Sequence, residues 1–265
     1  MLSGLYPTLF LPHGGGPCFF MDWEPADTWK RMEGWLEALP GTLDSKPDAM
    51  VVISAHWECP EFTVNVSPAP KLLFDYSGFP PHTYELTYPA PGSPGLAARV
   101  QELLGCAGIA CETEWERGYD HGVFVPLKVM YPEADVPIVQ LSLKRGLDPA
   151  AHLEAGRALA PLRKENVLIL GSGMSYHNMR GFGAAYFQAS KEFDGWLSET
   201  VSMDPGERDG RLLDWQNARA ARIAHPHPDH LLPLMVAAGA AGPSQGRCVF
   251  TDTVMGVVVS GYRFG

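Results

Sequence analysis

The segment at residues 48–57, DAMVVISAHW, places the strongest constraint on how this chain can fold. Its apolar residues are consecutive rather than alternating, which is typical of a strand that is buried on both faces. Further strand-like runs occupy residues 8–11, 136–143 and 166–173, with a terminal pair in 246–265. Segments with apolar residues at helical spacing separate the strands, at residues 93–108, 148–166 and 184–202. This alternation predicts an α/β layer sandwich with a central, largely parallel or mixed sheet flanked by helices.

The length and the charge of the chain narrow its organisation and its function. Its 265 residues suit one α/β domain, so we expect a single domain over residues 1–265. The formal net charge is −10, which argues against nucleic acid or an anionic membrane as the main partner, because both require a basic surface. The N-terminal segment lacks the features of a signal peptide, and no run approaches the ~20 apolar residues of a membrane span. We therefore expect a cytoplasmic protein. The five cysteines form no CxxC pair, so the sequence indicates neither a disulfide framework nor a thiolate zinc site.

Histidines stand where predicted strands end. His13 follows the first strand, His56 lies near the end of the strand at 48–57, and His177 comes shortly after the strand at 166–173. Because parallel strands present their carboxyl ends at one edge of a sheet, these three side chains can converge there. His121 and His230, each preceded by an aspartate, are further candidates. Neutral imidazoles suit iron, zinc or copper, so the pattern favours a divalent metal site.

Other histidines have ordinary interpretations. His152 lies inside a predicted helix, and His82 lies in an irregular segment at residues 67–95 whose aromatic residues predict a pocket wall. His225 and His227 lie in a proline-rich stretch. They could be extra metal ligands or part of a solvated run, and we favour the solvated run.

The glycine-rich motif HGGGP at residues 13–17 has two further interpretations. It is superficially similar to the oxyanion loop of lipases and esterases, but the chain contains no GxSxG nucleophile motif. A phosphate-binding loop would require a following helix and a nearby basic residue, and the sequence CFFMDW that follows offers neither.

Six motifs together resemble the class III extradiol ring-cleaving dioxygenases, in the branch that includes 4,5-DOPA extradiol dioxygenase. In chain order they are LFLPHGGGP, VVISAHWE, GFPPHTYELTYPAPGSPGLA, GYDHGVFVPLKVMYPEADVPIVQLSL, LILGSGMSYHNMR and PDHLLPLMVAAGA. The resemblance runs from about residue 9 to the end of the chain. It implies that the chain is a single catalytic dioxygenase domain.

The resemblance also implies roles for the histidines. His13, His56 and His230 match metal ligands of the family. His177 matches the active-site acid/base, which in this branch lies close enough to count with the metal ligands, notably when zinc occupies the site. His121 matches a pocket histidine that contacts the substrate or oxygen. Asp120 has two open interpretations, as a carboxylate that orients His121 or as a loop cap.

The implied reaction opens a catechol with O2 to give a muconic semialdehyde. It requires Fe(II), whereas Zn(II) is possible as a bound or substituting metal that cannot activate oxygen. The expected partners are thus a small aromatic diol and O2, with Trp57 and the aromatic residues of segment 67–95 bounding the flat substrate.

The sequence leaves the identity of the catechol open. Arg180 either pairs with a substrate carboxylate or lies at the surface, and the family usually has serine where this chain has Gly15 or Gly16. Two alternatives stand beside this reading: a zinc- or manganese-dependent hydrolase or amidase on the same scaffold, and a non-catalytic protein that binds a metal or an aromatic ligand.

Overall fold

The computed structural model describes residues 5–265. Residues 1–4, which begin the segment predicted to lack a signal peptide, lie outside the described residues. One mixed sheet of eight strands is formed by the described chain, in the order β4-β3-β5-β2-β6-β1-β8-β7. The strands are β1 (Thr8–Pro12), β2 (Ala49–Cys59), β3 (Phe62–Asn65), β4 (Cys111–Glu114), β5 (Ile138–Lys144), β6 (Val167–Gly173), β7 (Gly246–Val254) and β8 (Val257–Phe264).

Helices flank this sheet, which confirms the predicted α/β class. They are α1 (Lys30–Ala38), α2 (Pro94–Cys106), α3 (His121–Met130), α4 (Pro149–Leu159), α5 (Phe187–Val201), α6 (Pro205–Leu213), α7 (Ala221–Ala224) and α8 (Leu232–Ala241). The all-apolar α8 is buried throughout its length. It packs closely against α4 at Gly156. A Cβ at that position would come 2.2 Å from the carbonyl oxygen of Val236 in α8. None of the helices in residues 5–265 is long and apolar enough to cross a membrane.

The central strands are parallel and end at one edge. Strands β5, β2, β6 and β1 run parallel, while β8 and β7 add an antiparallel hairpin beyond β1. Both Leu11 of β1 and Ser54 of β2 pair with Ser172 of β6, which lies between them. His13 and His56 each come two residues after these partners, so the register brings them to the same level of the sheet. The predicted convergence of strand ends is therefore built into the pairing.

Some predicted helix limits differ from the structure for a local reason. The helix predicted at residues 148–166 becomes a 3₁₀ helix at Ala160–Lys164, where Pro161 cannot continue the α-helical hydrogen bonds. The helix expected to begin at His230 starts at Leu232, with Pro233 in its first turn. The sequence pattern did not predict the short strands β3 and β4 or the helices α1, α3 and α6.

Candidate active site

A cavity of about 470 Å³ opens at the carboxyl edge of the sheet. Five of the nine histidines line it, and they are the five that the sequence singled out: His13, His56, His121, His177 and His230. The cavity walls are otherwise mostly apolar and aromatic. An apolar cavity in which a few polar groups converge is the usual form of a small-molecule site.

His13 is held as a defined tautomer. The hydroxyl of Ser172 donates to the carbonyl of Gly122. The Ser172 oxygen must therefore accept from His13 Nδ1, 3.1 Å away. The His13 Nε2 atom is therefore unprotonated and accepts a hydrogen bond from Nε2 of His56, 3.1 Å away.

His121 is oriented by a carboxylate from the irregular segment at residues 67–95. Asp75 Oδ1 accepts hydrogen bonds from His121 Nδ1 at 2.8 Å and from the His121 backbone N–H at 3.0 Å. Its other oxygen, Oδ2, lies 3.8 Å from His56 Nδ1. Burial alone would raise the pKa of Asp75, but the hydrogen bond and the charge of His121 hold that pKa below its usual value. An ionised Asp75 accepts only, so His121 carries its proton on Nδ1 and has a free lone pair on Nε2.

Asp120 does not orient His121, contrary to one of the two interpretations from sequence. Its buried carboxylate accepts from Ser54 Oγ at 2.6 Å, from Arg117 Nη2 at 3.1 Å and from Gln140 Nε2. It does not cap helix α3 with its side chain either. Arg117 also donates to the carbonyl of His56, at 2.9 Å. Asp120 therefore supports the strand that carries His56.

His13, His56 and His121 form one compact donor group. One nitrogen from each ring lies within 4.8 Å of the others. The His56 and His121 ring centres are 3.9 Å apart. The sequence interpretation gave His121 a contact with substrate or oxygen, and the structure also makes it a possible metal ligand.

His177, Asp229 and His230 form a second group, with one possible ligand atom of each within 4.8 Å of the others. The His177 and His230 rings stack with centres 3.3 Å apart and planes 13° apart. Asp229 Oδ1 accepts from the His230 backbone N–H at 2.8 Å. It also lies 3.1 Å from His230 Nδ1, but that nitrogen is buried with no hydrogen-bond partner. The two groups are adjacent: the His230 ring centre is 4.8 Å from that of His56 and 5.2 Å from that of His13.

Burial keeps these histidines neutral. Desolvation is the main cause that lowers the pKa of His13 and of His230 well below the usual value, with repulsion from neighbouring histidines adding to it. The same causes lower the pKa of His56 to about 4, and burial lowers that of His177. Neutral imidazoles present lone pairs, which is the form that binds a metal ion.

The donor geometry fits one metal ion. Two nitrogens about 2.1 Å from one ion and roughly 90–110° apart are separated by about 3.0–3.4 Å. The two Nε2 atoms of His13 and His56 are 3.1 Å apart, which matches this separation. The orphaned Nδ1 of the buried His230 has no partner within the described chain, as expected of a residue in a site completed by a ligand.

The interpretation of His225 as part of a solvated run is wrong. His225 is fully buried, its Nε2 bonds to the carbonyl of Ser175 at 3.0 Å, and its ring packs edge-on against Phe193 and Trp215. The side chain of His227 is 65% exposed, as a solvated residue would be. Neither histidine lines the cavity.

The segment at residues 67–95 supplies part of the predicted wall. Tyr76 and Phe79 line the cavity, whereas Phe74 and Tyr84 pack around Tyr76. Trp57 was expected to bound the substrate and does not line the cavity; the Arg117 guanidinium lies 5.0 Å from its ring centre. Sequence reasoning missed Trp23 and Trp29, which line the cavity instead.

The triple glycine lets the chain pass between His13 and the wall. Gly16 has φ +55°, and a Cβ there would lie 2.8 Å from the ring of Phe79. Gly15 lacks a positive φ, and a Cβ there would be 3.8 Å from its nearest neighbour, Trp29. Of the two positions where relatives were expected to carry serine, only Gly15 has room for one.

Replacing Gly16 by alanine should therefore destabilise the protein, whereas Gly15→Ala should not. We expect the free energy of unfolding to fall by about 1–3 kcal/mol in Gly16→Ala, because the backbone is strained and Phe79 must move. Gly15→Ala is the matched control, with a change within about 0.5 kcal/mol. Denaturant unfolding measures both, and equal stabilities of the two variants would contradict this role of Gly16.

Comparison with known proteins gives the family. A family model described as the catalytic LigB subunit of aromatic ring-opening dioxygenase matches residues 7–259. The 4,5-DOPA dioxygenase extradiol of Beta vulgaris is 39% identical, over 97% of this chain and 96% of the relative. The dioxygenase tasH of Hapsidospora irregularis is 37% identical, over 99% of this chain and 86% of the relative.

A solved structure agrees with these sequence matches. The crystal structure of an uncharacterized protein from Escherichia coli K12 superposes with a TM-score of 0.79 at 31% identity, covering 98% of this chain and 100% of that one. The family model, the relatives and the fold all point the same way and confirm the resemblance seen in the sequence motifs. The chain belongs to the LigB family of extradiol, aromatic ring-opening dioxygenases.

Proposed function

We propose that this protein is an Fe(II)-dependent dioxygenase that opens the ring of a catechol, with residues 1–265 acting as one catalytic domain. The observation that carries the proposal is the meeting of five histidines at the floor of an apolar cavity. Four of them have a lowered pKa and so present neutral imidazoles at neutral pH. When bound, ferrous iron supplies the redox-active centre that dioxygen chemistry requires and that zinc lacks.

His13, His56 and His230 would hold the iron. His13 and His56 are favoured as ligands because their facing nitrogens are 3.1 Å apart. His230 is favoured as the third ligand because it is 3% exposed and its Nδ1, 3.1 Å from Asp229 Oδ1, has no hydrogen-bond partner among residues 5–265. His121 already has its Nδ1 bonded to Asp75, so its remaining nitrogen is available to the substrate.

His177 would take a proton from a catechol hydroxyl and return it to the product. Its ring stacks on the proposed ligand His230 and lines the same cavity, which supports this role. It was also counted among possible ligands, and in this proposal it serves as the acid/base with Asp229 nearby. The Nδ1 atom of His177 is 4.0 Å from Asp229 Oδ1, close enough for the carboxylate to stabilise the imidazolium.

His121 would orient the substrate through its free Nε2. In the neutral form this nitrogen accepts a hydrogen bond from the second catechol hydroxyl, since Nδ1–H donates to Asp75. Nε2 could donate a hydrogen bond to the substrate or oxygen only if the ring were doubly protonated.

The overall reaction needs no external reductant. The bond between one hydroxyl-bearing ring carbon and its unsubstituted neighbour breaks. One oxygen atom of O2 becomes the aldehyde oxygen and the other enters the new carboxylate. The catechol supplies all the electrons that reduce O2. One catechol proton is taken up by His177 and returned to the product, and one proton is released to water as the new carboxylic acid ionises.

Asp75 should matter because it positions two of the histidines. Asp75→Asn removes the acceptor charge beside His121 and His56, so we expect metal affinity or turnover to fall about 10–100-fold. Asp135→Asn is the control, since Asp135 lies at the surface and pairs with Lys46. Metal titration and steady-state kinetics of both variants test this, and an unchanged Asp75→Asn protein would refute the positioning role.

The proposed function is tested by supplying anaerobic protein with Fe(II), then O2 and a panel of catechols. We expect a yellow ring-opened product at visible wavelengths with Fe(II), and none with Zn(II). Release of an acid or amine from esters or amides with Zn(II) or Mn(II) instead would favour the hydrolase alternative. Binding of metal and catechol without product would favour the non-catalytic alternative.

A further inference from the structure

We infer that the site takes an uncharged catechol with an apolar substituent rather than one that carries a carboxylate; this inference rests on the proposed function. The histidines gather at one end of the cavity, and the rest of its lining would face the substituent. Within residues 5–265, no lysine or arginine belongs to that lining.

The lining beyond the histidines is aromatic and aliphatic on several sides. Trp23, Trp29 and Phe79 contribute aromatic surface, with Phe182 from the loop after β6. The β7–β8 hairpin adds a strip of aliphatic side chains, which are Val254, Met255, Val257 and Val259. At about 470 Å³ the cavity lies within the range that holds a ring with a substituent. An apolar substituent would be removed from water on all these sides.

Two cations in an adjoining surface groove already have acidic partners. A surface groove next to the cavity shares Trp23 and Met255 with it. Its Lys30 pairs with Glu33 at 2.7 Å, and its Arg31 pairs with Asp252 at 2.8 Å. The same groove also contains acidic groups, Glu24 and Asp27. A substrate carboxylate that reached this groove would therefore meet carboxylates. The two cations there already pair with carboxylates of the protein.

Two other arginines also lie outside the cavity lining. Arg180, one candidate partner for a carboxylate, is exposed and outside the cavity lining. Arg117 is used by Asp120 and by the carbonyl of His56. A carboxylate in the cavity would lose its water without gaining a charged partner, which is costly. The acidic Asp75 and Asp229 beside the histidines add repulsion to that cost.

A matched pair of catechols tests this inference. 4-Propylcatechol and 3-(3,4-dihydroxyphenyl)propionate differ only in a terminal methyl group against a carboxylate. With the Fe(II) protein we expect kcat/KM at least about tenfold higher for the propyl compound. Equal values, or a preference for the propionate, would overturn the inference.

Anaerobic binding separates this inference from the proposed function. Quenching of the cavity residues Trp23 and Trp29 gives the Kd of each catechol without turnover. Tighter binding of the propyl compound supports the inference even if neither compound is cleaved, a result that would overturn only the proposed function. Tighter or equal binding of the propionate overturns the inference.

A charge placed in the lining should reverse the preference. Met179 lines the cavity and is 74% exposed, so it tolerates a long polar side chain. Met179→Arg should raise kcat/KM for the propionate relative to the propyl compound several-fold, and the uncharged Met179→Gln should not. The same substrate ratio in both variants would contradict a role for the missing cation in specificity.

Discussion

Alanine at His13 or at His56 is expected to abolish metal binding and, with it, ring cleavage. Each substitution removes one of the two facing nitrogens that are 3.1 Å apart in the cavity floor. Loss of a residue that merely orients a ligand costs about 10–100-fold in metal affinity, so the loss of a ligand itself should exceed about 100-fold. Metal content after anaerobic loading with Fe(II) measures the effect. His227→Ala is the control, because His227 is an exposed histidine outside the cavity lining.

The same measurement identifies the third ligand. If His230 completes the set, His230→Ala loses the metal and His121→Ala keeps it while turnover falls. The opposite result would make His13, His56 and His121 the ligand set, as their mutual approach within 4.8 Å allows. Full metal content in both His13→Ala and His56→Ala would contradict the site altogether.

Alanine at His177 is expected to leave the metal bound and to lower kcat by about 10²–10⁴-fold, the usual contribution of a positioned acid/base. His177 stacks on His230 but is not itself one of the three proposed ligands, so its removal takes away the proton carrier and leaves those ligands in place. Steady-state kinetics with metal content measured on the same sample separates the two effects. Normal turnover would refute the acid/base role, and loss of the metal would instead make His177 a ligand.

The central strands could be predicted from sequence because they contain runs of consecutive apolar residues, as in β2 and at the start of β6. The edge strand β4 could not, since its sequence CETE is short, polar and largely exposed. Helix α3 escaped prediction because it is buried on nearly all sides, so it shows no amphipathic stripe, and because Pro126 lies inside it.

The site histidines could be predicted because strand ends and family motifs mark them. Their partners could not: Asp75 is 46 residues from His121 along the chain and lies in an irregular segment, so no spacing rule connects them. Asp120 is adjacent to His121, but its carboxylate is directed to Ser54 and Arg117 by the packing of β2. The burial of His225 likewise depends on its packing against Phe193 and Trp215, and neither is a near neighbour of His225 in the sequence.

The most direct test of the central claim is isotope incorporation from ¹⁸O2. The Fe(II)-loaded protein is given a catechol under ¹⁸O2, and the product is trapped before its aldehyde oxygen exchanges with water and is analysed by mass spectrometry. A dioxygenase that opens the ring predicts a product with both labelled atoms and O2 consumed in equal amount to catechol. A product without label, or oxidation of the catechol to a quinone with the ring intact, would contradict the account.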